Sequence, residues 1–258
     1  MLGKLLKYEI PALGRKLVPL YIGWAVTAAL LGLAIGPAAS KSDFMVVLAG
    51  LLYSAAATAV VVMAIVMIIQ RYSNSLLGDE AYFNQVLPVT ASEHIASKGL
   101  SALIWVLLSG VAMFVTCILI VIFGGALGEV LKAMPAVWRD IIMNIKGVEW
   151  LILAEFLILF AFSIIKSVLA IYTAITIGHQ AQKRTTLASI GAYIGILFFE
   201  SLIGRAAMSI GIIKNYFMTF DIYEFHYLFL GALLVTTVLG TIYFFVCKYL
   251  MEKRLNLN

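Results

Sequence analysis

The sequence predicts an all-α polytopic membrane protein with six transmembrane helices, and three observations carry that prediction. Six apolar runs, at roughly 17–39, 44–70, 99–123, 149–178, 186–204 and 226–247, punctuate the 258 residues. Each is long enough to cross a hydrocarbon core of about 30 Å, which takes about 20 helical residues. The chain is 63% hydrophobic and 12% charged, with a mean hydropathy of +1.05, too little polar surface to coat a soluble domain. Stretches such as Met45–Ile69 lack the polar–apolar alternation that a membrane barrel requires. Lipid offers the backbone no partners, so a helix is the structure that remains.

The elements follow in order. In residues 1–16, Leu2, Leu5, Leu6, Ile10 and Leu13 recur at helical spacing, with Lys4, Lys7 and Arg15 off that stripe. This predicts an N-terminal interfacial helix with its cations toward headgroups, kinked at Pro11. A disordered basic lead is the alternative. The first apolar run starts later and is longer than a signal h-region of about 7–15 residues, so a retained span is expected, with cleavage the alternative. Spans one and two occupy 17–70.

The polar break 71–98 interrupts the apolar pattern for 28 residues. Gly78 can end the preceding helix, Asp79 can cap a new one, and Glu80 suits its first turn. That short helix, about 79–87, presents Tyr82, Phe83, Val86 and Leu87, and Pro88 stops it. Thr90 or Ser92 can then cap the helix of span three. A solvated loop would explain the charges but not the clustered Tyr82, Phe83, Leu87 and Pro88. An apolar cluster of that kind marks an interface.

Residues 99–258 hold spans three to six and a short tail, so 1–258 reads as one transmembrane domain. Segments 124–148 and 205–225 read as interfacial or partly re-entrant helices, or as simple connectors. Trp138, Trp150, Tyr216 and Tyr223 suit an aromatic belt. With both termini inside, eleven Lys and Arg flank the inner ends of the spans and six the outer ends. That bias favours cytoplasmic termini. The net charge of +5 therefore reflects topology, and no basic stripe with interleaved aromatics points to nucleic acid.

Within the spans, Glu155 and Lys166 fall within about 20° of each other around an ideal helix, but about 16 Å apart along it. Leu159, Phe162 and Thr173 share their face. An ionised side chain at mid-bilayer costs about 2.5–3.5 kcal/mol on insertion scales, so this face is expected to line a cavity or meet protein. Snorkelling is the alternative, easier for Glu155 than for Lys166. Glu200 is expected to pair with Arg205. His94, His179 and His226 have no ligand spacing, so no metal site is predicted. Cys117 and Cys247 are expected at different depths, without a disulfide. Ser54, Ser109 and Ser163 read as helix-contact residues, and Gly32–Gly36 and Gly191–Gly195 permit close helix approach.

The string RYSNSLLGDEAYFNQVLPVTASEHIASKGLSALIW at 71–105 resembles the loop of ABC-2-type transporter permeases of Gram-positive bacteria. The opening MLGKLLKYEIPALGRKLVPLY is similar to theirs as well. The matching elements are Leu77, Gly78, Asp79, Glu80, Tyr82, Leu87, Pro88, Val89, Thr90 and Lys98, in register without gaps. The resemblance implies a type V exporter-like permease in a bacterial cell membrane, with a connecting helix at the N-terminus. It also implies a coupling helix between spans two and three, in which Gly78, Asp79, Glu80, Tyr82, Phe83, Leu87 and Pro88 contact a separate ABC ATPase subunit. A second permease copy or paralogue completes the dimer, surrounded by membrane lipids. No G-x-x-x-x-G-K-[ST] string occurs here, so ATP and Mg are expected on the partner ATPase. The chain itself is then a transport subunit rather than an enzyme. The rivals are an ATPase-independent secondary carrier and a membrane-embedded enzyme, the latter lacking a recognisable nucleophile or metal set.

Overall fold

The computed structural model describes residues 2–37, 43–76, 89–144, 147–181, 184–209 and 222–253. These residues form helices and connecting turns, with no strand among them. The helices are α1 (Leu2–Ile35), α2 (Asp43–Leu76), α3 (Ala91–Phe123), α4 (Leu127–Asn144), α5 (Gly147–Gly178), α6 (Thr185–Ser209) and α7 (Ile222–Lys253). All but α4 contain stretches long and apolar enough to cross a membrane. The chain is a multi-pass helical membrane protein.

One boundary differs from the sequence expectation. The N-terminal interfacial helix does not end at residue 16; α1 continues as one helix through Pro11 and Pro19. Each proline removes a single intrahelical donor, and Gly14 and Gly23, which follow them, stay within the helix rather than ending it. At about 1.5 Å per residue the 34 residues of α1 are longer than the hydrocarbon core requires, so the basic segment and the first span belong to one continuous helix. Helices α2 and α3 are similarly longer than their apolar runs: α2 continues past residue 70 to Leu76, and α3 starts at Ala91, ahead of the run at 99–123.

The residues group into two compact units. The first, residues 7–68 and 104–144, contains most of α1 and α2, the apolar length of α3, and α4. Its core joins Leu13, Leu17, Ala64, Met67 and Trp105, with Ile10, Leu20 and Tyr21 packed against them. The Trp105 indole rests on Gly14, where an added Cβ would meet the ring at 2.7 Å, and its Nε1–H donates to the Ile10 carbonyl at 3.1 Å. Further along, Tyr21 bonds Ser109 at 2.7 Å and Tyr53 bonds Thr116 at 3.1 Å, tying α1 and α2 to α3. Gly32 brings α1 against the end of α3: a Cβ there would lie 2.8 Å from both the Ile120 carbonyl oxygen and Phe123 Cβ.

Helix α3 stops because Gly125 adopts φ 76°, a conformation costly for residues with a Cβ. Gly125 N–H then bonds the Ile122 carbonyl at 3.2 Å and Ala126 N–H the Val121 carbonyl at 3.2 Å, a Schellman closure. Helix α4 follows. Leu127, Val130, Leu131, Met134, Trp138 and Ile142 recur on one stripe of it at helical spacing, and all are exposed. That pattern fits a helix lying in a membrane interface rather than crossing it.

The second unit, residues 1–6, 69–103 and 145–258, is organised on α5, which packs against both α6 and α7. Gly178 permits the closest approach in it, since an added Cβ would collide with Ser189, 2.6 Å from its Cα. The last turns of α2 and the first turns of α3 belong to this unit, and Tyr72, Ser75, Leu76, Ile95, Ser97, Lys98 and Ser101 are buried there.

Candidate functional site

Helix α5 carries one stripe of residues at alternating four- and three-residue steps: Glu155, Leu159, Phe162, Lys166, Leu169, Thr173 and Thr176. Such spacing keeps one face of a helix in register with its neighbours. The polar members of this stripe all find partners within the second unit.

Lys166 Nζ lies 2.6 Å from Glu200 Oε2 on α6, and both side chains are 18% exposed. The other oxygen, Oε1, accepts the hydroxyl of Tyr243 on α7 at 2.8 Å. Three helices are thus joined through one carboxylate. An ammonium in an apolar span is tolerated only with such a partner, and the tyrosine hydroxyl supplies a second donor to the anion. Thr173 donates to the Tyr243 carbonyl at 3.0 Å, fixing the same turn of α7 against α5. Toward the start of α5, Glu155 Oε2 is 2.9 Å from His226 Nδ1 at the beginning of α7. A carboxylate accepts, so the ring nitrogen facing it donates.

Beside the lysine lies a cleft of 210 Å³, lined among others by Phe162, Lys166, Leu169, Thr237, Gly240 and Thr241. Of the expected cavity residues, Phe162 and Lys166 line this cleft, whereas Glu155 and half-buried Leu159 lie outside its lining. The expected pairing of Glu200 with Arg205 is replaced by the Lys166 pair. Arg205 is exposed, while Lys166 is brought to Glu200 by the packing of α5 on α6.

At the far end of the stripe, Tyr72 of α2 is fully buried and stacks on Tyr172, ring centroids 3.9 Å apart and planes 9° apart. Its hydroxyl meets Thr176 Oγ1 at 2.8 Å and Cys247 Sγ of α7 at 2.9 Å. The two cysteines are both free thiols, Cys117 exposed on α3 and Cys247 buried. Among the described residues no group of three His, Cys, Asp or Glu could hold a metal ion.

The expected ATPase-contact residues Gly78, Asp79, Glu80, Tyr82, Phe83, Leu87 and Pro88 lie outside the described residues. Their downstream flank is described. Thr90 and Glu93 form a reciprocal capping box: Thr90 N–H donates to Glu93 Oε2 at 3.1 Å, and Glu93 N–H points to Thr90 Oγ1 at 3.4 Å. Glu93 precedes the apolar run of α3, and the Thr90 amide holds its carboxyl below the usual glutamate range. Of the two caps predicted for span three, Thr90 is the one used.

Sequence reasoning did not single out Tyr72, Tyr243 or His226 as partners. Their spacing places each on a helix face, but nothing in the sequence states which face meets α5. Glu200 was visible as an intramembrane charge, and the cation on the nearest apolar helix, Lys166, was the available clue. Comparison of the chain with protein-family models, with curated proteins and with solved structures finds no match.

Proposed function

We propose that this chain is the membrane-spanning permease subunit of an ATP-driven exporter of the ABC-2 type. It resides in a bacterial cell membrane with both termini cytoplasmic and pairs with a second copy or a paralogue. ATP and Mg bind a separate ABC ATPase subunit, and the chain carries peptide, drug or lipid-like cargo.

The observation that carries the reading is the 71–105 string, taken with the helices on either side of residues 77–88. Helix α2 runs beyond its apolar stretch to Leu76, and the Thr90–Glu93 capping box starts α3 ahead of its own. A short acidic and aromatic segment between two extended helix ends suits a partner that pushes from the membrane surface. Such a push shifts the permease between inward and outward openings only if the partner binds the two states unequally. Glu80→Lys and Tyr82→Ala are therefore expected to weaken ATPase association and coupling while leaving membrane insertion intact. Unchanged association and coupling in both variants would overturn the reading.

A secondary carrier is the second reading. It is favoured by the paired ionisable groups inside the spans, Lys166–Glu200 and Glu155–His226, since such groups mark ion and proton pathways in transporters. Transport driven by a proton gradient with no ATP requirement would establish it in place of the exporter.

A further inference from the structure

The exporter reading requires a physical link from the 77–88 segment to the helices that carry the polar stripe, and the structure holds a candidate for it. Tyr72 sits one turn before the end of α2 at Leu76 and is fully buried. Its hydroxyl has hydrogen-bond partners on both α5 and α7. Thr176 Oγ1–H donates to the Tyr172 carbonyl at 2.8 Å, so its oxygen is left to accept from the Tyr72 hydroxyl, also at 2.8 Å. Cys247 Sγ of α7 lies 2.9 Å from the same hydroxyl, and Met251 Sδ, 3.6 Å away on α7, is a further acceptor for its proton. One side chain of α2 is therefore the middle member of a chain running from α7 to α5. Its ring is clamped on Tyr172 by the near-parallel stack. Buried hydrogen-bonded groups have discrete arrangements rather than a continuum, because an intermediate position leaves donors unmet.

We infer that Tyr72 is the positioning residue through which movement at the end of α2 reaches α5 and α7, its hydroxyl chain being made in one transport state and broken in the other. This rests on the exporter reading, in which the partner ATPase moves the 77–88 segment. The consequence extends to the polar site: Thr173, one turn before Thr176, holds the α7 turn that bears Tyr243. A shift of α5 relative to Tyr72 therefore acts on the turn that completes the Glu200 carboxylate.

Cys247 reports the state of the joint. In a Cys117→Ser background, the full chain is captured with its ATPase and treated with N-ethylmaleimide, without nucleotide and with a non-hydrolysable ATP analogue. The rate of Cys247 alkylation is expected to differ between the two conditions. Tyr72→Phe keeps the ring stack and removes the hydroxyl; it is expected to retain the ATPase and lose the nucleotide-dependent difference. Thr176→Val, which removes the acceptor without changing volume much, is expected to do the same, and Thr176→Ser to restore it. A merely structural role would lower the yield of complex instead of abolishing the difference. If the ATPase is captured but the rate is the same with and without nucleotide, or if Tyr72→Phe preserves the difference, the inference fails and the exporter reading stands. If no ATPase is captured, the exporter reading itself fails and takes the inference with it.

Discussion

Lys166 Nζ and Glu200 Oε2 lie 2.6 Å apart, joining the middle of α5 to α6, and Tyr243 of α7 holds the other oxygen of the same carboxylate. The arrangement leaves each charge with its opposite and gives the anion two donors. Removing one partner leaves the other charged in an apolar setting, whereas removing both leaves a neutral contact.

Lys166→Met and Glu200→Gln are each expected to destabilise the protein by about 3–5 kcal/mol. The double variant is expected to lose well under the sum of the two single losses, because the uncompensated charge is gone. Tyr243→Phe is expected to cost about 1.5 kcal/mol, the loss of one hydrogen bond to a charged group. Denaturant titration of the purified chain in detergent micelles measures all four. Additive losses in the double variant would show that the pair is not coupled.

Gly32→Ala is expected to force α1 away from the end of α3, since the new methyl would sit 2.8 Å from Ile120 O and Phe123 Cβ. The overpacking is expected to cost about 1–3 kcal/mol. Gly191→Ala places its methyl where, among the described residues, nothing beyond its own helix turn lies within 4 Å, so its effect is expected to stay within about 0.5 kcal/mol. Thermal unfolding of the two variants in the same detergent separates them.

Trp105 packs on Gly14 and donates to the Ile10 carbonyl in the first unit's core. Trp105→Ala is expected to cost about 3–5 kcal/mol through the cavity it leaves. Gly14→Leu is expected to expel the indole from its seat, seen as a red shift and increased quenching of Trp105 fluorescence in a chain whose other tryptophans are replaced by phenylalanine.

The Thr90–Glu93 cap is expected to weaken with acid. Its carboxyl is held below the ordinary glutamate range by the Thr90 amide, so the folded state binds the proton less readily than the unfolded chain. The stabilisation is therefore present at and above neutral pH and is lost as pH falls through that lowered value. The difference in melting temperature between wild type and Glu93→Ala is expected to be constant above the usual carboxylate range and to vanish on acidification. A difference independent of pH would show that the carboxylate does not act as a cap.

The apolar runs were enough to place the spans, because a membrane demands about 20 unbroken apolar residues and α5 at Gly147–Gly178 nearly coincides with the run at 149–178. Helix ends were less legible. The run at 17–39 marks apolarity, whereas α1 begins at Leu2, since lysines and prolines at the surface end do not break a helix whose other bonds are made. The shared face of Glu155 and Lys166 followed from the 3.6-residue period. Their partners did not, because His226 and Glu200 are brought in by the packing of α6 and α7 on α5. Gly32 and Gly191 show the same limit. Both open a G-x-x-x-G pair, yet Gly32 touches α3 while Gly191 meets no other helix among the described residues.

The most direct test of the central claim is affinity capture of the tagged chain from its native membranes in mild detergent, with mass spectrometry of what accompanies it. The exporter account predicts a stoichiometric soluble protein bearing a P-loop, lost on Glu80→Lys. A chain that folds and purifies without any such ATPase would contradict it and shift the function to a carrier built on the Lys166–Glu200 and Glu155–His226 pairs.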